Sequence, residues 1–222
     1  MTHLRPVEPI TGAIIPLYEL ELLTREANDV ATARSIIASL AQVQPYSIAE
    51  ADKRISVLKS LHLDEGRLDK LAIDMTRSRR PAGHEEIGKC LLFMERAFYN
   101  SKDKGQVSAA LIFDEVVIAE PGVAALQSAV RKLWCTLDWF PSIAQLLKAV
   151  REENARWEFW QDCVAHVRAE HDILISRLEA VRSQLLRSHH ELQTERLARS
   201  DALMRLSAQI KSSALHSRPW DG

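Results

Sequence analysis

Apolar residues along this 222-residue chain recur mostly at steps of three and four, the spacing of one face of an α-helix, and strict alternation is rare. From Leu17 the positions Leu20, Leu23, Ala27, Val30, Ile37, Leu40 and Val43 line one such face, which has to end before Pro45. Ile48, Ala51, Ile55, Leu58 and Leu61 predict a second helix in "YSIAEADKRISVLKSL". Ser47 followed by Glu50 is a capping box: the hydroxyl accepts from the Glu50 amide and the carboxylate reaches back to the Ser47 amide. A shorter helix around Leu68, Leu71, Ala72 and Met75 runs into "TRSRRPAG", where Pro81 and Gly83 mark a subdomain boundary.

A second block starts at His84, with Ile87, Leu91, Met94 and Phe98 on one face. After the polar break "SKDKG", Val107, Ala110, Leu111, Asp114 and Val117 predict another helix. The run "LIFDEVVIA" is β-branched enough to suit a strand, but no partner strand appears nearby, so helix is preferred. Pro121 suits the first turn of the next helix, lined by Val123, Leu126, Val130, Leu133, Trp134 and Leu137. Ser142 and Gln145 repeat the capping signature and open a helix with Ile143, Leu146, Leu147 and Val150 facing inward.

The C-terminal third differs, because no Gly or Pro occurs between Asn154 and Ile210. With Trp157 at the first heptad position, Val164, His171, Leu178, Leu185 and Leu192 follow at the same position. Trp160, Val167, Leu174 and Val181 fill the second core position, before Ser188 and Glu195 interrupt it. After Leu192 the phase slips, and Leu203, Leu206 and Ile210 resume with a four-residue stutter. A helix of this length is roughly 80 Å at 1.5 Å per residue. A small domain cannot cover such a stripe. It has to pair with another copy, fold back or bind a partner, and the expected oligomer seam is Val164, Val167, Leu174, Leu178, Val181, Leu185 and Leu192.

The pattern predicts an all-α protein: small helical bundles followed by a long coiled-coil-like C-terminal helix. Its expected parts are an irregular segment over 1–16, a helical subdomain over 17–80, a central helical domain over 84–153, the long helix over 154–211 and a flexible tail over 212–222.

Composition adds limits. A hydrophobic content of 46% suffices for a real core. With 29 basic and 30 acidic residues the net charge is −1, against a surface that grips nucleic acid throughout. The richest basic run, Arg77, Arg79 and Arg80, reads first as a solvated basic loop; a helix-turn-helix regulator within 45–80, dimerising through the coil, would instead present it to DNA as an arm. Asp69 and Asp74 in the same stretch oppose phosphate. Cys90, Cys135 and Cys163 are too few and too scattered for a disulfide framework, which fits a reducing cytosol. No apolar run approaches the roughly 18–20 residues that cross a bilayer. The N-terminal apolar patch is broken by Pro9, Gly12 and Pro16, so a cytoplasmic protein without a membrane contact is expected.

GxxxxGK[ST], GxGxxG and GxSxG do not occur, and "GHEEIGKC" carries Gly88 where a zinc helix needs its second histidine. His189 and His190 point about 100° apart on a helix, unsuited to joint metal binding. Glu85–Glu86 and Glu152–Glu153 are neighbours rather than facing acid–base pairs. The expectation is a non-enzymatic protein without cofactor or metal. His171 at a seam position could tune pairing or act as a pH-sensitive contact.

"LDWFPSIAQLLKAV" carries the remaining signal. Trp139 and Phe140 precede a helix, and Trp157 and Trp160 follow on one face of the next stretch. As structure, Trp139 and Phe140 plug a helix junction as a hydrophobic staple. As function, these four aromatics are partner-binding anchors.

From about Glu86 to Arg151, "IGKCLLFMERAF" and "AVRKLWCTLDWFPSIAQLLKAVRE" resemble the small helical domain of phage and prophage replicative-helicase loader and inhibitor proteins. Ala129, Leu133, Phe140, Pro141, Ser142, Ile143 and Leu146 occupy the family's pattern, and Gln145 stands where the family usually has an acid. The resemblance implies a phage-encoded factor that docks on a replication partner such as a replicative helicase. The regulator that binds DNA remains the alternative.

Overall fold

A computed structural model of the chain describes residues 15–98, 107–138 and 140–216. The expected irregular segment falls almost wholly outside them. Its helices are α1 (Leu17–Ala41), α2 (Ile48–Ser60), α3 (Glu65–Ser78), α4 (His84–Ala97), α5 (Val107–Ile118), α6 (Val123–Thr136) and α7 (Ile143–His216). The fold is all-α and ends in a long helix; among the described residues the only sheet-like pairing is an antiparallel bridge between Pro81 and Gly122. By contact the chain divides into two compact units, one of residues 1–38 with 62–170, the other of residues 39–61 with 171–222. The divisions expected at 80 and 153 follow composition; these units follow contact and are discontinuous in sequence.

In the first unit, α4 packs on α5 and α6. Ile87, Cys90, Met94, Phe98, Ile112, Val116, Leu126, Ala129, Val130 and Leu133 form a core with Leu146, Ala149 and Val150 from the start of α7. Phe140 lies edge-on to Phe98, with ring centroids 6.0 Å apart, and packs against this core. Gly83 and Glu86 cap α4 through a 2.6 Å bond from the Gly83 N–H to the carboxylate. The capping box expected at Ser142 forms in both directions: Ser142 N–H donates to Gln145 Oε1 at 2.8 Å and Gln145 N–H to Ser142 Oγ at 3.3 Å.

Helix α5 buries Ile112 and Val116; of the expected line, Leu111 and Asp114 are exposed and Val117 is half-buried, while the side chains of Val107 and Ala110 lie outside the described residues. The exposed pair Asp114 and Glu115 marks the outer face of this helix, and counting Asp114 into the inward line set the phase wrong. Pro121 does not begin α6 either. It sits two residues before the helix, buried, with its carbonyl accepting from Ala82 N–H at 2.8 Å. Val123 N–H answers to Arg80 O at 3.0 Å, and Asn154 Oδ1 accepts from Gly122 N–H at 3.1 Å.

The helix that opens at Ile143 does not stop near 153, so the boundary drawn at 153–154 lies inside α7. Leu146, Val150, Glu153 and Trp157 are buried in one continuous row through that point, and no glycine, proline or cap intervenes. Helix α1 ends two residues earlier than the apolar pattern, leaving Val43 outside it and exposed. Within the second unit, Arg54 Nη1 donates to the carbonyls of Leu40, at 3.2 Å, and Val43, satisfying acceptors that the ending helix leaves open. Ser47 caps α2 as expected, but the Glu50 carboxylate accepts from Tyr46 N–H at 3.2 Å rather than from Ser47. The tail expected to be flexible from 212 is helical to His216, and 217–222 lie outside the described residues.

Candidate interaction surface

Helix α7 meets different neighbours along its length. In the first unit, its residues 153–170 bury Glu153, Trp157, Trp160, Cys163, Val164 and Val167. Trp157 and Trp160 meet edge-to-face at 5.4 Å, and the Arg156 guanidinium lies 5.9 Å from the Trp160 ring centroid. Ion pairs flank this row. Arg34 of α1 forks onto Glu170 and reaches Asp162; Arg168 pairs with Glu65.

In the second unit, α2 runs antiparallel to α7. The Leu58 carbonyl meets His171 Nε2 at 3.1 Å, Lys59 faces Glu179 at 3.9 Å, and Asp52 accepts from Arg182. Leu174 and Leu178 are buried; Val181 and Leu185 are half-buried. Helix α2 starts at Ile48, four residues before Asp52, so its cover ends about four residues beyond Arg182. From Leu186 to Gln209 every residue is exposed.

That bare stretch is not uniformly polar. Leu192, Leu203 and Leu206 expose 57%, 67% and 54% of their surface and continue the row of Leu178 and Leu185. Taken at 100° per residue, Leu185, Leu192, Leu203 and Leu206 fall within an arc of about 60°. Leu186, Leu197 and Met204 form a second, narrower row, exposed by 42%, 68% and 63%. Burying a leucine contributes about 1.5–3 kcal/mol, so six such side chains left in water represent a large unspent driving force.

The expected site residues therefore divide. Val164, Val167, Leu174 and Leu178 are covered by the chain itself and are not an open seam; of the expected seam only Leu192 is bare. Trp157 and Trp160, at 1% and 6% exposure, are core residues, not surface anchors. Phe140 is half-buried against the core, in the junction role; Trp139 lies outside the described residues. His171 serves its own chain by meeting Leu58. The basic arm is engaged by neighbouring side chains: Arg79 donates to Glu158 and to the Gln161 amide oxygen, Arg80 donates to Glu86, and Arg77 lies 3.9 Å from Asp74. The two helices a helix-turn-helix would need, α2 and α3, belong to different compact units.

Sequence reasoning missed Leu186, Leu197 and Met204. Their spacings of eleven and seven residues were the available signal, masked by a heptad frame set at Trp157.

Among the described residues no group of three or more His, Cys, Asp or Glu side chains is placed to hold a metal ion, and no helix is long and apolar enough to cross a membrane. No protein family, curated protein or solved structure matches the chain.

Proposed function

We propose that this chain is a non-enzymatic, phage-encoded helical interaction protein that docks on a DNA-replication partner such as a replicative helicase and joins copies of itself. The observation that carries the reading is the exposed pair of apolar rows between Leu186 and Gln209, on a helix whose preceding seam is already covered. Two rows on different sides suit two neighbours. The row of Leu192, Leu203 and Leu206 prolongs the seam that α2 covers and is assigned to a second copy. The row of Leu186, Leu197 and Met204 is assigned to the replication partner. The likeness to helicase loaders supplies the partner class; the bare rows supply the surface.

The test is capture of the cognate replicative helicase by the full chain and by a Leu197→Ser/Met204→Ser variant. Capture by the first and loss with the second is the expected result. No capture by the full chain removes the helicase from the proposal.

A further inference from the structure

Helix α2 covers the row of Leu174 and Leu178 on α7, and Leu185, Leu192, Leu203 and Leu206 continue that row beyond it. No glycine or proline interrupts α7, so the row runs along one unbroken rod. A second copy packed on the bare part would hold its axis about 8–10 Å away. Were the two copies parallel and in step, each α7, followed back towards Leu178 and Leu174, would enter the space that the other copy's α2 fills. Reversal of one copy removes that conflict. Its α2 then stands past Gln209 of the first chain, and only the turns from 210 to His216, a helix end where fraying costs least, come level with it.

The charges on the row favour the same direction. Taken at 100° per residue, Arg199 falls about 20° and Glu195 about 60° from Leu192, so both border the row between Leu192 and Leu203. Parallel copies in step would stack Glu195 on Glu195 and Arg199 on Arg199. Reversed about a point between Leu197 and Ala198, Leu192 comes level with Leu203 of the other copy, and Glu195 comes within one residue of its Arg199. Glu195 and Arg199 already lie 4.0 Å apart within one chain, so two copies would join them in a ring of alternating charge. Arg196, about 40° off the row on the other side, is exposed and has room to turn its guanidinium to water.

We infer that the second copy lies antiparallel on this row, with Leu192 against its Leu203 and Glu195 against its Arg199. This rests on the assignment of the row to a second copy and fixes the direction and register of the pairing. One seam of α7 is then covered end to end, first by α2 and next by the other chain's α7, both running against it.

The experiment is double electron–electron resonance on the full chain carrying Cys135→Ser and one nitroxide, at Ser200→Cys or at Ser176→Cys. Both serines are exposed on α7, and Cys90 and Cys163 are buried from the label. Ser200 lies near the centre of the pairing, so its two labels should stand within about 25 Å, two helix widths. Ser176 lies about 21 residues from that centre, so at 1.5 Å per residue its two labels should stand about 65 Å apart. Short distances at both positions, below about 35 Å, would mean parallel copies and overturn the inference while leaving self-association intact. A labelled chain that light scattering finds monomeric at high micromolar concentration, with no dipolar coupling at Ser200, would remove both the inference and the assignment it rests on.

Discussion

Arg34 and Glu170 meet in a forked pair: Nε lies 2.9 Å from one carboxylate oxygen and Nη2 2.7 Å from the other. Arg34 is mostly shielded, with 24% of its side chain exposed, and Glu170 is more open at 38%. The bonds from Glu170 and then Asp162 raise the Arg34 pKa further above its usual value. The geometry is better than that of most surface pairs, but solvent screens it. A double-mutant cycle with Arg34→Ala and Glu170→Ala, read by urea unfolding, should give a coupling of about 1 kcal/mol. A coupling near zero would make the fork incidental.

The bridge at Gly122 is tighter than its small size suggests. A Cβ there would stand 3.2 Å from Arg79 O, a backbone atom with little room to move. Gly122→Ala should destabilise the fold by about 1 kcal/mol through overpacking. Asn154→Ala removes the acceptor of Gly122 N–H and should cost a similar amount, about 1 kcal/mol. Thermal unfolding of both variants checks this; unchanged midpoints would contradict it.

Acid should weaken the first unit. Asp162 is held below its usual pKa chiefly by its bond to Arg34, Glu86 by its bond to Arg80, and Glu152 by its bond to Lys132. A carboxylate whose folded value is depressed contributes stability above its unfolded value and loses it as pH falls through the folded one. The reference values are 3.8 for Asp and 4.5 for Glu. These carboxylates should therefore leave stability level from neutrality down to about pH 5 and take it away progressively below that. Chemical denaturation at successive pH values tests this, and a contribution that grows on acidification would refute it.

The three cysteines should react unequally. Cys135 is exposed, whereas Cys90 and Cys163 are buried. Burial, with Glu86 nearby, pushes the Cys90 thiol up to about 12, so little thiolate is present at neutral pH. A maleimide added to the native protein should label Cys135 fast and the other two only on unfolding. Mass spectrometry of the labelled peptides decides; rapid labelling of Cys90 or Cys163 would contradict the packing described.

Much of the fold was legible because most helices carry their own punctuation. Ser47 and Ser142 announced helix starts through short polar contacts fixed by local spacing. The phase of α5 was misread because apolar residues surround its two acids on both sides; Asp114 and Glu115, both exposed, were the available mark of its outer face. The extent of the free seam was hidden for another reason. Leu174 and Leu178 are as apolar as Leu192 and Leu203, and only α2, more than a hundred residues earlier in the chain, decides which of them is covered. The Arg77–Arg80 arm looked free because its acids, Glu158 and Glu86, are supplied by other helices.

Whether the bare rows of α7 are an interface is decided most directly by sedimentation equilibrium of the full chain beside a Leu192→Glu/Leu203→Glu variant. The wild-type chain should sediment as an oligomer whose mass falls to that of one 25.1 kDa chain in the variant, with helical content kept. A wild-type chain that stays monomeric at high micromolar concentration, or an oligomer that survives both substitutions, would contradict it.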